Sequence, residues 1–271
     1  MWELRGSGRK VLAGVIGGVR SLRVSAGCRE LIAAGLRDLW LWDLQLKDPG
    51  SAPKVFQIGA TIEALALDGG RALVAAGTKV HACELAGTSC TDYSGHTQAI
   101  AALSLSEQSG WMITGAADGT ARLWELRTKQ LSRTLERAAA RVAQVGFSHS
   151  GRQVFIASVD NTFRTFDVGS GALLRTLRGP ANNLISAALS GDDKLVALAD
   201  SGPLLHLFDL ESGVLLRDVG PSAAVVSIGF GAAGSQLLTV EAQGSIAAWN
   251  LTPESRAAAE VADWMRAHSA E

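Results

Sequence analysis

Residues 118–126 read Asp-Gly-Thr-Ala-Arg-Leu-Trp-Glu-Leu. Asp118-Gly119 is a tight-turn signal, and the strand-like run after it ends in an aromatic, an acid and an aliphatic residue. That ending recurs as Trp2-Glu3-Leu4, Trp42-Asp43-Leu44, Cys83-Glu84-Leu85, Phe166-Asp167-Val168, Phe208-Asp209-Leu210 and Trp249-Asn250-Leu251. Successive copies lie 40, 41, 41, 42, 42 and 41 residues apart. A period kept so closely marks repeated supersecondary units, each too small to bury its apolar face alone.

A second series runs in phase with the first. Upstream of each ending from Trp42 onward, apolar residues stand at offsets 0, +3 and +5: Val19, Leu22, Val24; Ile62, Leu65, Leu67; Ile100, Leu103, Leu105; Val142, Val145, Phe147; Leu184, Ala187, Leu189; Val225, Ile228, Phe230. The last two of each set alternate as a strand does, and the extra step before them predicts a local bulge. Small residues lie between them, among them Ala64, Ala66, Ala188, Gly146 and Gly229. The crowded inner strand of a radial array needs such residues. A turn follows, then an apolar strand (Gln153 to Ala157, Lys194 to Leu198), a second tight turn, and the strand with the aromatic-acid ending. Arg-bearing segments such as Leu131 to Leu135 and Leu173 to Leu177 complete each unit as an outer strand. Four strands in about 40–45 residues describe one blade of an all-β propeller.

On these residues, 1–251 resemble WD repeats, and the fullest copy runs from Gly95-His96 to Trp124-Glu125. The resemblance implies that His96, Thr114, Asp118 and Trp124 form a buried hydrogen-bonded tetrad. A ring nitrogen, a hydroxyl, a carboxylate and an indole N–H can satisfy one another away from water. Other copies depart from the pattern. Phe166 and Phe208 cannot donate, Cys83 is small, and the Gly-His pair is absent elsewhere. The tetrad is therefore expected once in full, with apolar packing in the remaining units. The resemblance also implies a non-enzymatic scaffold that holds other proteins.

Six inner segments imply a six-bladed propeller over residues 1–251. Residues 9–13 (Arg-Lys-Val-Leu-Ala) read as the outer strand of the last blade, which would join the two chain ends and cover an open edge. The alternative is seven blades with an N-terminal one missing, since Trp2-Glu3 has no strands before it. Residues 252–271 read as a helical tail, with Thr252 as N-cap, Pro253 at the first position, and Ala257, Val261, Trp264 and Met265 as an apolar stripe. The stripe packs on the propeller or docks a partner, with Trp264 as anchor. A helix in this place also resembles the ends of bacterial WD-repeat regions fused to signalling enzymes.

Little in the chain points to chemistry. With 25 basic and 26 acidic residues, its formal charge of −1 gives no reason to expect nucleic acid or an anionic membrane as partner. No apolar run is long enough to span a bilayer. Cys28, Cys83 and Cys90 are too few for a disulfide framework and form no CxxC pair. Cys83 is therefore expected as a packed thiol, in a reducing, cytoplasmic setting. The five histidines make no close-spaced ligand set, and there is no GxSxG elbow or P-loop, so no catalytic, metal or cofactor site is expected. Asp43, Glu84, Glu125, Asp167 and Asp209 fall at equivalent strand ends, where the repeat accounts for them. Arg133, Arg175 and Arg217 are expected on a solvated rim.

Binding is expected on the loops entering the inner strands, because loops on a rigid frame carry function. Gln98, Arg141, Asn182 and Asn183 are the candidate residues there. Two further readings stay open. One is a regulatory or sensor domain of a larger kinase or ATPase protein. The other is a propeller enzyme using its central pocket.

Overall fold

The computed structural model describes residues 18–44, 52–87, 89–179, 182–202, 204–220, 224–231 and 236–251. Two compact units divide the chain, Met1–Ser94 and Gly95–Glu271. The first unit holds two four-stranded sheets: β1 (Ser21–Val24), β2 (Glu30–Ala34), β3 (Asp38–Asp43) and β4 (Lys54–Gln57), then β5 (Ile62–Asp68), β6 (Arg71–Ala76), β7 (Lys79–Glu84) and β8 (Cys90–Ser94). Three four-stranded sheets follow in the second unit. They are β9 (Ile100–Ser106) to β12 (Leu131–Thr134), with β10 (Trp111–Ala116) and β11 (Ala121–Glu125); β13 (Val142–Phe147) to β16 (Leu173–Arg178), with β14 (Gln153–Ser158) and β15 (Thr162–Asp167); and β17 (Leu184–Leu189) to β20 (Leu215–Val219), with β18 (Leu195–Asp200) and β19 (Leu205–Asp209). Its last sheet has three strands, β21 (Val225–Phe230), β22 (Gln236–Glu241) and β23 (Ile246–Asn250). Each sheet is an antiparallel meander in chain order, compatible with a propeller blade.

The second strands β6, β10, β14 and β18 are mostly apolar because they are buried on both faces, whereas β22 alternates buried and exposed residues. All six residues of β18 are buried. Val196 and Leu198 pack with Phe155, Leu177 and Phe208 on one side. Leu195, Ala197 and Ala199 pack with Val225, Ile228 and Leu237 on the other. The core is thus a series of layers between consecutive sheets of a unit. In the first unit the layer joins Ile32, Leu39 and Leu41 to Leu65, Val74 and Cys83.

First strands lie side by side within each unit: β1 beside β5, and β9, β13, β17 and β21 in succession. Close approach explains their small residues. A Cβ on Gly146 would stand 2.3 Å from the Phe155 ring. The Gln144 amide stitches two of these strands, donating to Ala187 O at 2.9 Å and accepting from Ala187 N–H at 2.8 Å. Ser186 Oγ accepts the Ile228 N–H at 3.2 Å. Register slips fall between Ile62 and Ala64, Val142 and Gln144, Leu184 and Ser186, and Val225 and Ser227, at the extra step in the apolar spacing.

Three expectations change here. Cys83 is not a packed thiol: it forms a disulfide with Cys90. Cysteine number carried no hint of this, but the strand register does, since the two are direct partners across β7 and β8. Arg133 is exposed yet bound, its guanidinium donating to the carbonyls of Gly169 and Ser170 in the next sheet's turn. Leu22 and Val24 lie on β1 but, with Val19, are about half exposed. The proposed closing strand at 9–13 and the helical tail 252–271, with Trp264, lie outside the described residues.

Candidate functional site

His96 and Thr97 sit in the loop that enters β9, Thr114 on β10, Asp118 and Thr120 in the turn after it, and Trp124 on β11. The meander folds these segments onto one another, and His96, Thr114, Asp118 and Trp124 are all buried. Trp124 Nε1 donates to Thr114 Oγ1 at 2.8 Å, and that oxygen lies 2.8 Å from His96 Nε2. The other ring nitrogen, Nδ1, stands 3.2 Å from Thr120 Oγ1 and 3.5 Å from Asp118 Oδ2. One proton arrangement serves every group. Thr114 gives its hydroxyl proton to Nε2, and the Nδ1–H of a neutral imidazole faces Thr120 and Asp118.

Asp118 is the best-bonded member. Its Oδ1 accepts from Thr120 N–H at 2.9 Å and Thr120 Oγ1 at 2.6 Å, and its Oδ2 from Thr97 N–H at 3.1 Å and Thr97 Oγ1 at 3.0 Å. Burial alone would push its carboxyl up, but the bonds from Thr120 and Thr97 outweigh it and hold the group well below the usual carboxylate range. Burial pushes His96 down and keeps it neutral, against the opposing pull of Asp118. The sequence reading missed Thr97 and Thr120. The signal for Thr120 was the Asp-x-Thr spacing, in which a carboxylate caps its own turn, and Asp160 with Thr162 repeats it. Half of the arrangement recurs in the last sheet, where Trp249 Nε1 donates to Thr239 Oγ1 at 3.2 Å.

The loop candidates stand together in a different sense. The carbonyls of Ala99, Arg141, Asn183 and Ala224 accept the N–H groups of Ala117, Val159, Ser201 and Ala242, so these residues mark the same end of four neighbouring first strands. Gln98, Arg141, Asn182 and Asn183 are all exposed at that end. Asn182 reaches the frame, its Nδ2 lying 2.6 Å from where a Cβ on Gly202 would be.

Two polar pairs escaped the sequence reading because they depend on register. His206 and Asp218 oppose each other across β19 and β20, with Nδ1 2.7 Å from Oδ1. His206 Nε2 lies 3.5 Å from buried Asp200 Oδ2. In the first unit His81 and Asp92 are opposed in the same way, at 2.8 Å. Among the described residues no group of His, Cys, Asp or Glu is arranged to hold a metal.

Residues 87–125 match the family model "WD domain, G-beta repeat". That span ends on the strand carrying Trp124-Glu125 and takes in all four members of the buried network. No curated protein matches the chain.

Proposed function

We propose, with the matched WD repeat as premise, that this chain is a protein-interaction scaffold without catalytic activity. WD repeats in general build such scaffolds. The partner would seat on the loops that carry Gln98, Arg141, Asn182 and Asn183. One observation carries the reading: three adjacent sheets bring these loops to one end of their first strands, fixed by repeated backbone bonds and backed by continuous apolar layers. A frame held this way presents side chains with little ordering cost on association. In its finer form the proposal has six blades, with residues 9–13 as the outer strand of the last.

The test is a comparison of the full chain with the combined variant Gln98→Ala, Arg141→Ala, Asn182→Ala, Asn183→Ala. Proteins cross-linked to the full chain in its own cell extract are identified by mass spectrometry, and both chains are then titrated against the purified candidates. The expected result is a partner whose affinity drops at least about tenfold, equal to 1.4 kcal/mol, while the melting temperature is unchanged. Equal affinities for every recovered partner would overturn the assignment of this face.

A further inference from the structure

The turn between β7 and β8 differs from its counterparts. In three other sheets the acid of the repeated ending caps this turn by accepting from a hydroxyl residue three positions on. Asp167 Oδ1 accepts from Ser170 N–H and Oγ, both at 2.7 Å; Asp209 holds Ser212 in the same way; Glu125 Oε2 accepts from Thr128 Oγ1 at 2.7 Å. Here the acid is Glu84, and three positions on stands Gly87, which has no side chain. The strands also pair differently. Trp124, Phe166 and Phe208 meet Leu131, Leu173 and Leu215 across a register slip, whereas Cys83 meets Cys90 in unbroken register. A covalent bond has replaced both the aromatic–leucine pair and the cap.

The same turn is gripped from the neighbouring sheet. Lys54 on β4 donates from Nζ to Leu85 O at 3.0 Å and also to Gly87 O. Its hold requires those two carbonyls to stay where the closed loop puts them. Cys83 is buried in the apolar layer, whereas Cys90 is exposed. A thiolate from solvent therefore has access to one sulfur of the bond.

We propose that Cys83–Cys90 is a reversible thiol latch, and that reducing it loosens the turn and releases the Lys54 grip between the two sheets of the first unit. The reductant is a dithiol. Its thiolate attacks Cys90 Sγ, the Cys83–Cys90 bond breaks, and Cys83 leaves and takes up a proton. The second thiol of the reductant then displaces Cys90 and closes the reductant's own disulfide. Two electrons and two protons pass to the protein, which ends with two thiols. Leu85 and Tyr93 stay buried on either side, so the change remains local.

Hydrogen-exchange mass spectrometry on the full chain, before and after dithiothreitol, tests this. The reporters are the Glu84 N–H, bonded to Ser89 O at 3.0 Å, and the Gly87 N–H, bonded to Glu84 O at 3.2 Å. Reduction should raise exchange across 84–89 by about ten- to a hundredfold, the range that loss of a short loop closure allows. Peptides over 111–126 should not change. The Cys90→Ser chain should exchange at the fast rate under both conditions. Alkylation of both cysteines in protein purified without reductant would overturn the latch. So would unchanged exchange in 84–89, or a rise that extends equally to 111–126.

Discussion

Thr114 holds one oxygen between the indole of Trp124 and the imidazole of His96, so a single hydroxyl links two strands and a loop. Thr114→Val keeps the shape and removes that oxygen, and it should cost about 2–4 kcal/mol, since buried polar groups lose their bonds. Trp124→Ala should cost about 3–5 kcal/mol through the cavity it leaves. Arg141→Ala, on an exposed loop, should stay within about 0.5 kcal/mol. Denaturant unfolding of the three variants would check this order, and equal losses would contradict it. Acid should also weaken the network. His96 is held below its ordinary pKa, so the unfolded chain binds more protons, and stability falls as pH drops through about 6.5. Asp118 is held low as well, so its contribution is full above about 3.9 and is lost as pH falls further. His96→Gln should flatten the unfolding free energy between pH 7 and 5 relative to the parent chain; an unchanged slope would refute the neutral imidazole. Of these residues the four-member set was legible, because one copy carried every mark. Asp200, His206 and Asp218 were not, because they meet only once the register of β18, β19 and β20 is known.

At the scale of elements, the offsets of apolar residues predicted the slip in the first strands, since an added residue on one strand shifts its side chains against the partner. The apolar second strands were legible too, and β14 and β18 are buried on both faces, while β22 alternates. Phe163 tests that layer: it is fully buried and stacks on Phe155 with ring centroids 5.3 Å apart. Phe163→Ala should cost about 3–5 kcal/mol, while Leu173→Ala on the exposed start of β16 should cost under about 1 kcal/mol. Thermal unfolding of both would decide; a larger loss at Leu173 would mean the layers are assigned to the wrong faces. The disulfide was illegible for a definite reason. Counting cysteines asks whether a framework exists, whereas Cys83–Cys90 arises from one pair of opposed positions in one sheet. Closing so short a loop is worth about 2–3 kcal/mol by chain entropy, and reduction should lower stability by no more than that.

For the whole molecule, the proposed scaffold rests on a strict repeat and, within each unit, on layered cores and first strands set side by side. In its finer form the proposal has the repeats close, with residues 9–13 as the outer strand beside β23. Ile246 on β23 is 69 % exposed, and among the described residues its sheet has three strands where the others have four. The most direct measurement is hydrogen exchange at the β23 backbone amides, Ile246 to Asn250, in the full chain and in a chain lacking residues 1–17. The account predicts slow exchange in the full chain, faster by about a hundredfold in the truncated one, with amides in β14 unaffected. Equal exchange in both chains would mean that nothing from the start of the polypeptide pairs with β23, and the closed scaffold would have to be abandoned.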